Sequence, residues 1–273
     1  DDAVGVQLSA SGVSVVEGGS AQQYTVVLLS EPTSAVDVAI TVVGNASQVT
    51  LSPSTVSFTT GNWATPQTVT VTAVDDFEVE AVGAYSLRHT ASSSDGAYSG
   101  TGMVYPVSDL PLSVYDNEGA MVLLSKATGS VSEGGATDTY TIRLTSQPTA
   151  GVDVTITVPF GGGVVQATAS PSSVSFTRFN WDIEQTVTLT AAADDIADGE
   201  FTLAVAHSAS SADTDYDAGA LFRPSSSLSL SVHDDDAVGV QLSASGVSVV
   251  EGGSAQQYTV VLLSEPTSAV DVA

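Results

Sequence analysis

The stretch SVVEGGSAQQYTVVLLSEPTSAVDVAITV, Ser14 to Val42, decides the fold. Tyr24, Val26 and Leu28 fall on one side of an extended chain, and Val36, Val38 and Ile40 repeat the pattern after a turn at Glu31-Pro32-Thr33. Alternation with period two, carried by Val and Thr, is the signature of half-buried strands. No helical periodicity appears anywhere in the chain.

The stretch returns. GSVSEGGATDTYTIRLTSQPTAGVDVTITV, from Gly129 on, is a diverged copy. SPSTVSFTTGNW, ending at Trp63, returns as SPSSVSFTRFNW, ending at Trp181, and LSVYDNE (Leu112–Glu118) returns as LSVHDDD (Leu230–Asp236). Asp1–Ala39 also recurs letter for letter as Asp235–Ala273, an offset of 234 residues. Fold constraints tolerate surface drift, so identity of this length implies recent duplication, or a window longer than one repeat of an array. The modules read as 1–118, 119–236 and a truncated third at 237–273, identical to 3–39.

Seven main strands are expected in the first module: A 4–16 (broken near Gly12), B 21–30, C 36–43, D 48–59, E 67–74, F 84–92 and G 109–115. Seven short strands with regular turns argue for an all-β chain of tandem immunoglobulin-like β-sandwich modules. The third copy stops inside strand C, which would leave bare edges. Either the chain continues or another chain completes it. The chain begins at Asp1 without an initiator Met, so any export signal is expected outside this window.

The 273 residues carry 31 acidic and 5 basic side chains and no cysteine. Disulfides and thiol chemistry are excluded. Nucleic-acid binding through a basic surface is excluded, because nothing would neutralise phosphates. No apolar run is long enough to insert in a membrane as a helix. The net charge of −26 suits divalent cations, solubility or a salty environment.

Strand parity says where the acids gather. Strands A, C, E and G all end at one pole. That pole receives Glu17, then Asp75, Asp76, Glu78 and Glu80, then Asp116, Asn117 and Glu118. The second module repeats the three-part pattern with Glu133, then Asp194, Asp195, Asp198 and Glu200, then Asp234, Asp235 and Asp236. Clustered carboxylates repel by roughly a kcal/mol or more per pair. Lys126, Arg88, Arg143, Arg178 and Arg223 are too few to offset both clusters. A hard divalent cation would, and calcium accepts six to eight oxygens in loose geometry. The competing reading is solvated turn acids, since Asp and Asn suit turns.

The run V-x-E-G-G, then V-T-V-T-A-V-D-D with a further acid, then D-N-E or D-D-D, resembles the Calx-β domain. The S-F-T-x-x-N-W and Q-T-V-T-V-T segments are similar to tandem bacterial modules of that kind. The resemblance covers both full modules and implies a calcium-binding sandwich of extracellular or cell-surface proteins. Carried over by residue, it implies ligands Glu17, Asp75, Asp76, Glu80, Asp116 and Glu118 in the first module. In the second it implies Glu133, Asp194, Asp195, Asp198, Asp234, Asp235 and Asp236. Asn117 departs from the family by standing in place of an acid.

Other features carry less. Trp63 and Trp181 read as packing anchors, and His89 and His207 as satisfied strand histidines. Asn45-Ala46-Ser47 is a glycosylation sequon on an expected loop, which would suit a glycan-bearing surface. Gly161-Gly162-Gly163 has no following Lys and is no phosphate loop. No nucleophile elbow or zinc motif is present, so no enzyme activity is expected. The leading expectation is a structural fibre subunit that associates with copies of itself, head to tail or by strand completion, with calcium at module junctions. The alternatives are the stalk of a surface adhesin, a spacer in a secreted enzyme, or a calcium sensor.

Overall fold

The computed structural model describes residues 3–100, 103–106, 109–217 and 221–273. Asp1 and Asp2 of the duplicated stretch lie outside them. The chain divides into two compact units, residues 1–119 and 120–273.

The first unit contains β1 (Val6–Leu8), β2 (Val13–Val16), β3 (Gln22–Leu28), β4 (Val36–Val43), β5 (Val49–Ser52), β6 (Thr55–Phe58), β7 (Gln67–Ala73), β8 (Gly83–Ser93), β9 (Val104–Tyr105) and β10 (Asp109–Tyr115). They form two five-stranded sheets, in the orders β5-β7-β3-β1-β9 and β2-β10-β8-β4-β6. This is an immunoglobulin-like β-sandwich. The sequence-level strands B, C, E, F and G correspond to β3, β4, β7, β8 and β10.

Strands A and D each split between the two sheets. A breaks across Ser9–Gly12 into β1 and β2, close to where Gly12 suggested. D was expected as one strand and is instead β5 and β6. Its break has a local cause: Pro53 has no N–H to donate, so the ladder stops at Ser52 and resumes in the opposite sheet at Thr55. The short β9, absent from the sequence reading, pairs in parallel with β1.

The alternation of Ser14–Val42 becomes alternate burial. Tyr24, Val26, Leu28, Val36, Val38 and Ile40 are all buried, and the intervening residues face outward. Each such aliphatic side chain contributes roughly 1.5–3 kcal/mol when fully buried. Trp63 packs against this core, half-buried, and its carbonyl accepts from Leu28 N–H.

The second unit repeats the plan with β11 (Met121–Leu124), β12 (Thr128–Ser132), β13 (Asp138–Leu144), β14 (Val152–Thr157), β15 (Ala167–Ser170), β16 (Ser173–Phe176), β17 (Gln185–Ala191), β18 (Phe201–Ser211), β19 (Leu221–Arg223) and β20 (Ser227–His233). Its sheets run β15-β17-β13-β11-β19 and β12-β20-β18-β14-β16, the same order as in the first unit. Residues 237–273 cluster with this unit and carry one two-stranded hairpin, β21 (Val240–Leu242) with β22 (Val260–Leu262).

A buried polar pair recurs between the sheets. Tyr24 and His89 share a 2.7 Å hydrogen bond to Nε2, and Tyr140 and His207 share one of 2.8 Å. Burial raises both tyrosine pKa values above the ordinary range and lowers that of His207. The histidines are thus structural pairs, each satisfied across the core.

Candidate metal centre

Parallel pairing builds the first half of each acidic cluster. β2 runs beside β10 with Val16 opposite Tyr115, so Glu17 and Asp116 leave the sheet side by side. Glu17 N–H donates to the Tyr115 carbonyl at 2.9 Å. β12 and β20 repeat the register with Ser132 opposite His233, which sets Glu133 beside Asp234.

The Gly after each glutamate makes room. Gly18 has φ +61° and Gly134 has φ +58°, a region L side chains rarely adopt. A Cβ on Gly18 would lie 2.9 Å from Asn117 Nδ2, and one on Gly134 would lie 2.8 Å from Asp235 Oδ2. The tight turn thus lets the terminal acids close over it.

The loop after β7 supplies the remaining groups. Asp116 ties it down, accepting from Glu80 N–H at 2.7 Å and Glu118 N–H at 2.8 Å. Asp234 does the same for Gly199 N–H and Asp236 N–H, both at 2.7 Å. Asp76 and Asp194 each accept from the backbone two residues on, at 2.8 Å.

The structure gathers Glu17, Asp76 and Glu80 within 4.8 Å of one another by one oxygen each, and Glu17, Asp116 and Glu118 likewise. Glu17 belongs to both groups. In the second unit Glu133, Asp234, Asp235 and Asp236 come together on the same criterion. Asp75 stands outside these groups, exposed, and accepts a hydrogen bond from Asn117 Nδ2 at 3.3 Å. Asp194, Asp195 and Asp198 are exposed and also outside them, although Asp194 N–H points at Glu133 Oε2 from 3.4 Å.

The electrostatics are unfavourable for a cluster left alone. Glu17 and Glu133 are each only 3% exposed. Burial, then the charges of Asp76 and Asp116, raise the Glu17 pKa. Burial, then the carboxylates around them, push Glu80 and Glu118 up to about 7. Glu133 and Asp236 are raised for the same reasons. Two of the five cations are paired outside these clusters: Arg88 forms a bidentate pair with Asp109 at 2.8–2.9 Å, and Lys126 pairs with Asp138.

Several oxygens have no partner. Glu17 Oε2, Glu80 Oε2, Glu118 Oε2 and Asp236 Oδ2 are buried and accept no hydrogen bond. Buried acceptors are normally satisfied. A set of orphaned carboxylate oxygens, hard and anionic, fits a divalent cation of the calcium type.

Two residues of the cluster escaped the sequence reading. Gln48 is 7% exposed and its Nε2 donates to Glu80 Oε1 at 2.6 Å. Gln166 is 1% exposed and donates to Asp198 Oδ2 at 2.8 Å. Their backbone carbonyls also accept from Val74 and Ala192, each at 3.0 Å. The signal was present as the repeated pattern Q-x-T-x-S-P at Gln48–Pro53 and Gln166–Pro171.

Asn45 is exposed and opens a short 3-10 turn, where its Oδ1 accepts from Ser47 N–H at 3.2 Å and from Ser47 Oγ at 2.7 Å.

No family model matches the chain, and no curated protein does. Among solved structures it is similar to the calcium binding domain CBD12 of CALX1.1, 13% identical, with 75% of this chain and 80% of that one covered and a TM-score of 0.36. CBD12 from CALX1.2 is also 13% identical, covering 77% and 84%, with a TM-score of 0.31. The titin domains Z1Z2 solved in complex with telethonin are 15% identical, covering 86% and 96%, with a TM-score of 0.35. At these values the likenesses carry no argument about function, and the site must be judged on its own chemistry.

Proposed function

We propose that this chain is a structural segment of an extracellular fibre, built from tandem Calx-β-like sandwiches whose acidic poles each bind calcium. The observation that carries the calcium reading is Glu17. It is a buried glutamate with an orphaned oxygen, shared by two groups of acids, and Glu133 repeats its position in the second unit.

In this reading Glu17, Asp76, Glu80, Asp116 and Glu118 hold calcium in the first unit. Glu133, Asp234, Asp235 and Asp236 hold it in the second, with the Asp194–Asp198 loop closing over them. Calcium supplies positive charge where the chain has none and lets the carboxylates share one centre. The acids of the first site run to Glu118, next to Gly119 at the end of the first unit. An ion held there stiffens the chain at the point where one module hands over to the next. The duplicated, cysteine-free, strongly acidic sequence suits an exposed array with itself as its lateral or end-to-end partner. Glycans on Asn45 belong to the same picture. In this reading the role is non-catalytic.

Electron microscopy of the native secreted material tests the fibre. Ordered filaments with an axial repeat of two modules, loosening after chelation, are the expected result. Isolated flexible strings ending in a distinct globular tip would contradict it and favour an adhesin stalk.

A further inference from the structure

The two acidic poles follow one plan but do not gather the same groups. Oxygens bound to one calcium lie at most twice a Ca–O length apart, about 4.6–5.2 Å. A group whose oxygens lie within 4.8 Å of one another therefore fits a single ion. The second unit offers one such group, Glu133 with Asp234, Asp235 and Asp236. The first unit offers two, Glu17 with Asp76 and Glu80, and Glu17 with Asp116 and Glu118.

The orphaned oxygens divide in the same way. Glu80 Oε2 belongs to one group, Glu118 Oε2 to the other, and Glu17 Oε2 to both. A further orphan is not acidic. Gln48 is 7% exposed, and its Oε1 is buried without a hydrogen-bond partner. Its Nε2 donates to Glu80 Oε1 at 2.6 Å, which fixes the amide beside the Asp76 and Glu80 group. Side-chain amide oxygens are ordinary calcium ligands. A cation there would satisfy an acceptor that burial otherwise leaves at a cost. Among the described residues, the corresponding orphan of the second unit is Asp236 Oδ2 alone.

The difference lies in one loop. Residues 74–82 join β7 to β8, and residues 192–200, equal in number, join β17 to β18. Asp194 takes the place of Asp76, because Ile196 N–H donates to it as Glu78 N–H donates to Asp76. Asp198 takes the place of Glu80, because Gln166 donates to it as Gln48 donates to Glu80. Aspartate is one methylene shorter than glutamate. Asp194 and Asp198 stay exposed, whereas Asp76 and Glu80 are half-buried. The loop of the second unit thus adds no acid to the group around Glu133.

We infer that the first unit holds a two-ion calcium centre bridged by Glu17, whereas the second unit holds one ion. One ion of the pair takes Glu17, Asp76, Glu80 and Gln48 Oε1. The other takes Glu17, Asp116 and Glu118. The inference rests on the calcium reading and resolves it unit by unit. Charge agrees with it in the first unit. Two ions bring +4 to the five carboxylates there, while a single ion would leave a net charge of −3. The shared glutamate also couples the pair, so a change at Glu17 should cost both ions.

The test counts calcium on the full chain by flow dialysis, with native mass spectrometry as a second count. Two ions in the first unit and one in the second make three per chain. Glu118→Gln should lower the count to two, and Glu17→Gln should lower it to one. Gln48→Leu should weaken one of the three by about 10-fold or more. The native count needs no variant, so a variant that fails to fold leaves the test intact. A native count of two or of four would overturn the inference and leave the calcium reading standing. So would a folded Glu17→Gln chain that loses only one ion. A native chain that binds no calcium would overturn the calcium reading itself, and the inference with it.

Discussion

The Glu80 N–H lies 2.7 Å from Asp116 Oδ2, so a loop from one sheet is latched to the last strand of the other. Asp234 repeats the latch on Gly199. The acids are therefore held together before any ion arrives, at an electrostatic cost visible in Glu80 and Glu118. Calcium binding in this arrangement needs little rearrangement and relieves repulsion already present.

Glu17→Gln separates these two effects. Without calcium the variant should match or exceed the native first unit in stability, because a buried unpaired charge is gone. With calcium it should lose the stabilisation that the native chain gains, about 2.7 kcal/mol when the ion is at 100 times its Kd. Calcium titrations followed by melting check both signs.

Acidity should oppose calcium. Glu80 and Glu118 have folded pKa values near 7, above the usual carboxylate value of 4.5. The folded, metal-free state therefore holds more protons than the unfolded state between those values. Its stability should fall as pH rises from about 5 to 7 and level off above. Calcium affinity should run the other way, weakening as pH drops below 7. Denaturant unfolding across pH, with and without calcium, measures both slopes.

Gly18→Ala should destabilise the first unit by about 1–3 kcal/mol, the usual range for a side chain forced into a sparsely populated backbone region. The added Cβ also meets Asn117 Nδ2 at 2.9 Å and Asp75 Oδ1 at 3.2 Å. Calcium binding should weaken with it, because the turn carries Glu17. Urea unfolding and calcium titration of the variant test the two consequences.

Gln48→Leu should keep the fold but release Glu80, whose Oε1 then loses its 2.6 Å donor. A calcium affinity lower by about 10-fold is expected, as for other residues that orient a metal ligand. Gln166→Leu should act alike on the second unit through Asp198.

Tyr24→Phe and Tyr140→Phe should each cost about 1–3 kcal/mol by removing the hydroxyl from a buried histidine Nε2. Neither should alter calcium affinity. Burial, partly opposed by the Ser226 carbonyl, lowers the His207 pKa. The unfolded chain therefore binds the proton more readily, and His207 should subtract stability from the second unit as pH falls below 6.5. Melting curves from pH 7.5 down to 5 for Tyr140→Phe and the native chain would show it.

Much of this was readable from the residues. β4 and β10 fall on the expected strands C and G to the residue, because alternation and flanking turns agree there. The splitting of strand D was not legible. A period-two pattern says which side chains point inward but not from which sheet, and both sheets face the same core. Parity brought the acids to one pole, yet could not rank them. It gave Asp75 and Asp194 the same weight as Glu17, whereas burial singles out Glu17 and Glu133, and an orphaned oxygen singles out Glu17 further. Gln48 and Gln166 were passed over because a turn glutamine carries no charge, although its amide orients one.

In the proposed reading both acidic poles are calcium sites. Differential scanning calorimetry of the metal-free chain, with calcium titrated to 10 mM and magnesium in parallel, tests it most directly. The transitions should climb with calcium, by roughly 10–20 °C for about 2.7 kcal/mol on a module of this size, climb less with magnesium, and stay fixed in a Glu17→Gln, Glu133→Gln double variant. Transitions indifferent to calcium, or moved equally in the double variant, would contradict it and leave the acids as solvated turns.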